Sequence, residues 1–200
     1  MLLVPRWVLL SSGFAPLLLI AGWVIAAVLE GSAYDPVTQT ISVLAAYGAS
    51  GSWVMTGAFI ALGVCHLLTA WGLRAAAAAG RAALAGGGVA ALAVALVPPP
   101  SSGGSLGHGS VAAVGFVLLA LWPVLAADGR RTAPWALRPT PSLAATALMV
   151  AGAAWFLIEM HRHGMAGVAE RVVTAVQSLW PFVVVTSCLR HRTDRERSTA

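Results

Sequence analysis

Residues 7–29 read WVLLSSGFAPLLLIAGWVIAAVL, with no charged side chain among them. An α-helix needs roughly 20 mostly apolar residues to cross the hydrocarbon core of a bilayer, and this run supplies them. Five later segments of the 200-residue chain have the same character: 53–73, 82–97, 110–127, 142–158 and 172–189. The pattern predicts an all-α, polytopic membrane protein, a bundle of about six transmembrane helices. The third and fifth segments are short, which leaves a count of four or five spans open. Gly31-Ser32-Ala33 resembles a small-residue cleavage site, but the apolar run before it is longer than a typical signal-peptide core of roughly 7–15 residues. It is read as a helix. Composition agrees: 58% of residues are hydrophobic, 10% are charged, and the mean hydropathy is +0.83. Soluble domains carry about 25% charged residues.

The net charge of +5 comes from arginine alone, since there is no lysine. Ten arginines (6, 74, 81, 130, 131, 138, 190, 192, 195 and 197) fall at the N-terminus, in the second and fourth loops and at the C-terminus; two, Arg162 and Arg171, fall in the alternate loops. The positive-inside rule then places both termini in the cytoplasm and the odd-numbered loops outside. Richness in Ala, Gly and Arg points to a bacterial plasma membrane. The domain division is one transmembrane unit over 1–189 and a polar, mobile cytoplasmic tail over 190–200. The basic clusters are short and lack interleaved aromatics, so nucleic acid is not an expected partner; membrane lipids are. Trp7, Trp71 and Trp122 are expected near the inner interface, Trp53 and Trp155 near the outer one. Gly86, Gly87 and Gly88 predict a close helix approach. Cys65 and Cys188 sit inside apolar segments and read as packed thiols.

The first outward loop carries Tyr34-Asp-Pro-Val-Thr-Gln-Thr-Ile-Ser-Val-Leu44. Asp35 as N-cap followed by Pro36 predicts a helix start, and Gly48 a stop. Val37, Ile41 and Leu44 share one face at helical spacing; Asp35, Thr38 or Gln39, and Ser42 share another. A short amphipathic helix follows, lying on the membrane surface with its polar side in water or folded over the bundle with that side lining a pocket. The other outward loops hold His108 and the stretch Glu159-Met-His161-Arg-His163. His108, His161 and His163, with Asp35, offer donors for an outward divalent metal, although the spacing matches no zinc motif and the sequence requires no cofactor. Glu30, Glu159 and Glu170 stand at helix ends, where a carboxylate is cheaper than at the bilayer centre. Deeper, His66 reads either as a neutral histidine bonded across helices or as a proton-relay group.

Tyr34–Ala46 (YDPVTQTISVLAA), the aromatic-led second helix WVMTGAFIALG, the proline-ended third helix and His108 opening the fourth together resemble the bacterial membrane family called domain of unknown function 998. The resemblance covers roughly residues 15–189. It implies a six-helix architecture and no activity. The third loop, EMHRHGMAGVAER, is richer in His and charge than the family pattern.

The residues leave three readings. One is a protein with an outward-facing polar pocket for a lipid or isoprenoid, lined by Trp23, Tyr34, Thr38, Gln39, Ser42, Trp155, Gln177 and Trp180, or a small transporter built on such a pocket. A second is a membrane-embedded enzyme. Glu30, Asp35 and Glu159 would be its catalytic acids in a prenyl cyclisation, with aromatic rings steadying the cation, or the histidines would activate a metal-bound water to hydrolyse a lipid. The third is an accessory membrane protein. There is no P-loop, dinucleotide fingerprint or GxSxG.

Overall fold

The structure, a computed structural model, describes residues 4–100 and 105–198. Six α-helices follow one another: α1 (Arg6–Glu30), α2 (Ser52–Gly72), α3 (Ala78–Leu96), α4 (Leu106–Leu125), α5 (Pro139–Arg162) and α6 (Ala166–Ser198). All six are long and apolar enough to cross a membrane. The two segments that looked short are full spans, because their helices start before the apolar run does. α3 recruits Ala78-Ala-Gly-Arg81, and Arg81 spends its guanidinium on the last carbonyls of α2, with Nε 2.8 Å from Ala70 O and Nη2 3.2 Å from Trp71 O. α5 opens on Pro139, a residue preorganised for the first helical position.

Each helix packs on the next, and α6 returns to α1, so the six close a ring in which α4 and α6 barely touch. α2 and α3 approach closely through glycine. A Cβ on Gly63 would stand 2.7 Å from Gly88 O, and one on Gly88 would stand 2.8 Å from Gly63 O. No side chain fits there, so the two backbones lie against each other.

Two apolar cores fill the ring. One lies at the end carrying the termini and gathers Val8, Leu73, Leu84, Trp122, Leu137 and Val184. The other lies under the first loop and gathers Leu19, Trp23, Tyr34, Ile41, Leu44 and Met55. Trp122 lies three residues from the end of α4. It is fully buried, because it shares the inward face of α4 with Gly115 and Leu119. Trp7 and Trp71 do pair at that end, ring centres 5.5 Å apart. The outward faces expose leucines such as Leu143, Leu148 and Leu157 of α5, the surface that lipid tails would cover.

The short helix of the first loop is a 3-10 helix at Ile41–Ala45, a later and tighter start than Asp35-Pro36 suggested. Asp35 does cap, but it caps a turn: its carboxylate accepts from Val37 N at 2.9 Å and from the Thr38 hydroxyl at 2.6 Å. Ile41 and Leu44 are buried as their spacing required, while Val37 is exposed. At the other end of the chain, α6 continues unbroken to Ser198, so residues 190–198 of the polar tail extend that helix. Residues 101–104, between α3 and α4, lie outside the described residues.

Candidate functional site

The first loop is folded back over the ring and fastened to the start of α6. Gly167 permits the approach, since a Cβ there would collide with the carbonyls of Gln39 and Pro36. Val168 N donates to Val37 O at 3.2 Å. Arg171 then gathers the loop. Its Nη1 donates to Pro36 O at 2.8 Å and Gln39 O at 3.4 Å, its Nη2 donates to the Tyr34 hydroxyl, and its guanidinium lies over the Tyr34 ring. Tyr34 in turn lies 3.0 Å from the carbonyls of both Gln39 and Thr40, to which its hydroxyl donates. Burial pushes the Tyr34 phenol above its ordinary range and outweighs Arg171, which pulls the other way. The exposed Asp35 carboxyl is held below its ordinary range, first by the Thr38 hydroxyl and then by Val37 N–H.

Beside this fastening stands Glu170, the buried acid among the described residues. Its carboxylate accepts from Ile41 N at 2.5 Å, and the Ser42 hydroxyl donates to it at 3.4 Å. A carboxylate has about four acceptor sites, so these two contacts leave capacity. Below Glu170, between α2, α3, α4 and α6, lies a cavity of about 80 Å³. Its wall is apolar, of small residues such as Ala90, Ala112 and Gly115 with the rings of Phe59 and Phe116. Its polar lining consists of Ser42, Glu170 and Thr174 toward the loop and Gln177 deeper in. Gln177 Nε2 donates to Phe116 O at 3.0 Å, which ties α6 to α4 across the ring.

Of the residues singled out from the sequence, Ser42 and Gln177 line this cavity. Tyr34 and Gln39 belong to the fastening, and Thr38 to the exposed turn. Trp23 is packed in the loop-side core. Trp180 lies against the opposite core. Glu30, Asp35 and Glu159 are not brought together, and none lines the cavity. Each serves a nearby turn or loop. Glu30 accepts from Ser50 N at 2.6 Å. Glu159 accepts from Met165 N at 2.7 Å and from the Trp155 indole at 3.2 Å. The histidine trio is not assembled either: among the described residues no three His, Cys, Asp or Glu side chains group as metal ligands. His108 sits in the first turn of α4, its Nδ1 2.7 Å from Val97 O, and His163 takes a left-handed conformation to end α5. His66, expected to bond across helices, has no protein partner at either ring nitrogen. Glu170 was visible from sequence only as a boundary carboxylate; the signal that marks it is its position two residues before the sixth apolar run, beside Arg171.

Six apolar spans around a narrow centre, with a loop folded over one end, define a polytopic helical membrane protein. The profile of the family described as Protein of unknown function (DUF998) matches residues 14–187. The chain belongs to that family. No curated protein and no solved structure matches it.

Proposed function

We propose that the protein binds one end of a lipid or isoprenoid in the cavity beneath the first loop. The observation that carries this reading is an apolar cavity inside the ring with a buried carboxylate at its loop side. Pockets that enclose a whole small molecule run to roughly 300–1,000 Å³. A cavity of about 80 Å³ takes the end of a chain. Glu170 and Ser42 would meet a polar group that donates a hydrogen bond, a hydroxyl or an ammonium. The neighbouring carbons would lie among Phe59, Ala112 and Phe116. The arginine asymmetry of the loops supports an orientation in the plasma membrane with the termini cytoplasmic and this cavity opening toward the outer side.

The test is native mass spectrometry of the protein released from mild detergent, beside Glu170→Gln and the cavity-filling Ala112→Phe. The wild type should retain an amphiphile of discrete mass. Ala112→Phe should lose it, and Glu170→Gln should hold it more weakly. A bare wild type, or equal retention in all three proteins, overturns the reading.

A further inference from the structure

A second pocket, of about 250 Å³, lies at the end of the bundle that carries the termini. It shares no lining residue with the cavity under the first loop. Three parts of the chain wall it. One is the stretch between α4 and α5, which is held by its own bonds. Asp128 N donates to Leu137 O at 2.7 Å, Arg130 N to the Asp128 carboxylate at 3.0 Å, and Ala133 N to Arg130 O at 3.0 Å. Arg138 Nε donates to Ala133 O at 3.1 Å. Ala136 N donates to the Ser187 hydroxyl at 3.1 Å, which pins the stretch to α6. The second part is α6 itself, where Cys188, His191 and Arg192 share one face at helical spacing and all line the pocket. The third part supplies Val4, before α1, and Ala75, after α2.

The pocket is amphipathic. Val4, Ala133 and Cys188 in its lining are buried and make an apolar floor. Arg130 and Thr132 are exposed and make a rim, while His191 and Arg192 are half-buried. The lining holds two guanidiniums against one carboxylate, Asp128. That carboxylate stands 3.9 Å from Arg130 Nε, too far for a hydrogen bond. A guanidinium has five N–H donors, and this contact takes none of them. Other arginines of the same end are spent on carbonyls: Arg81 on the end of α2, Arg138 on the stretch after α4.

The chemistry of the lining selects the ligand. Planar guanidiniums present paired N–H groups that match the oxygens of a phosphate. A hydroxyl and an imidazole add single donors. The span of α6 ends at Thr193, beside His191 and Arg192, so the pocket lies at the level of lipid headgroups, where basic pockets between helices take anionic lipids. Sites that enclose a whole small molecule run to roughly 300–1,000 Å³. A pocket of about 250 Å³ holds a phosphate and the carbons next to it. We propose that Arg130, Thr132, His191 and Arg192 form a binding site for phosphate, carried by a phospholipid headgroup or free in solution. This site does not depend on what the cavity under the loop binds.

The test uses the whole chain in a neutral maltoside detergent. Dioleoylphosphatidylglycerol is added and the retained lipid is counted by native mass spectrometry. Inorganic phosphate is added separately and the melting temperature is read. Arg130→Gln should weaken binding about tenfold, the loss of one charge-assisted hydrogen bond, and Arg192→Gln should do the same. Arg131→Gln removes an equal charge one residue away, outside the lining, and should leave binding unchanged. Retained lipid that millimolar phosphate does not displace assigns the site to a headgroup. A melting temperature raised by phosphate in the wild type and not in Arg130→Gln assigns it to free phosphate. A wild type that binds neither probe overturns the site, as does equal binding by wild type and Arg130→Gln. A loss in Arg131→Gln as large as in Arg130→Gln also overturns it, since diffuse surface charge would then be the cause. Both of these arginines are exposed, so the deciding pair of variants keeps the fold.

Discussion

Two arginines at opposite ends of the bundle show how differently the ends are built. Arg171, beside the first loop, is partly buried and donates to Pro36, Gln39, Gly167 and Tyr34. Arg130, on the side of the termini, is 82% exposed and meets Asp128 at 3.9 Å. Both contribute one positive charge to a chain poor in charge. The first organises a loop over the cavity; the second is exposed and meets only its neighbour in sequence, Asp128. Placement and partners, not charge, separate a structural arginine from an exposed one in this protein.

The comparison can be broken by substitution. Arg171→Ala should have the largest effect. Hydrogen bonds from a charged group are worth about 1.5–3 kcal/mol, and several carbonyls lose their donor at once, so a loss of about 2–3 kcal/mol is expected in denaturation in detergent. Limited proteolysis should then cut within residues 34–48. An intact melting curve would mean that the loop is held without Arg171, by its apolar contacts and its bonds to Val168 and Glu170. Gly167→Ala should cost about 1–3 kcal/mol by overpacking against the loop carbonyls, with the same proteolytic signature. Tyr34→Phe should cost about 1 kcal/mol, the net value of a typical hydrogen bond.

The tyrosine also sharpens the comparison through pH. Its phenol is raised above 10.0 in the folded protein, mainly by burial. The stability this contributes is complete below the unfolded value and is lost as pH rises through the folded one. Alkaline titration of the wild type should show that loss, and Tyr34→Phe should flatten it. Arg130→Ala should have the smallest effect, within about 0.5 kcal/mol, as expected for an exposed ion pair. A larger loss there would erase the distinction between the two ends.

The six helices were legible in the sequence because hydropathy belongs to each segment by itself. Ser42 and Gln177 were legible for a related reason: polar side chains in or beside apolar runs need a polar surrounding. The cavity was not legible, since it depends on which faces of α2, α3, α4 and α6 meet. Glu30, Asp35 and Glu159 stand apart from one another, and each accepts from a backbone N–H. Glu30 and Glu159 lie at the C-terminal ends of their helices, and the loops that follow bring the backbone N–H groups of Ser50 and Met165 to them; Asp35 caps its own turn. Glu170 carries the same side chain but sits one turn inside α6, out of reach of its own loop, so a different segment supplied its donors. That Trp122 is buried was not legible, since burial depends on which face of α4 turns inward.

The backbone contact between Gly63 and Gly88 also sets the mechanics of the bundle. Two helices that touch main chain to main chain cannot slide or tilt apart without opening a void, so α2 and α3 behave as a fixed wall. α4 and α6 face each other across the ring with little between them beyond the Gln177 tie. Any breathing that enlarges the cavity therefore falls on that seam, and one amide hydrogen bond is its hasp.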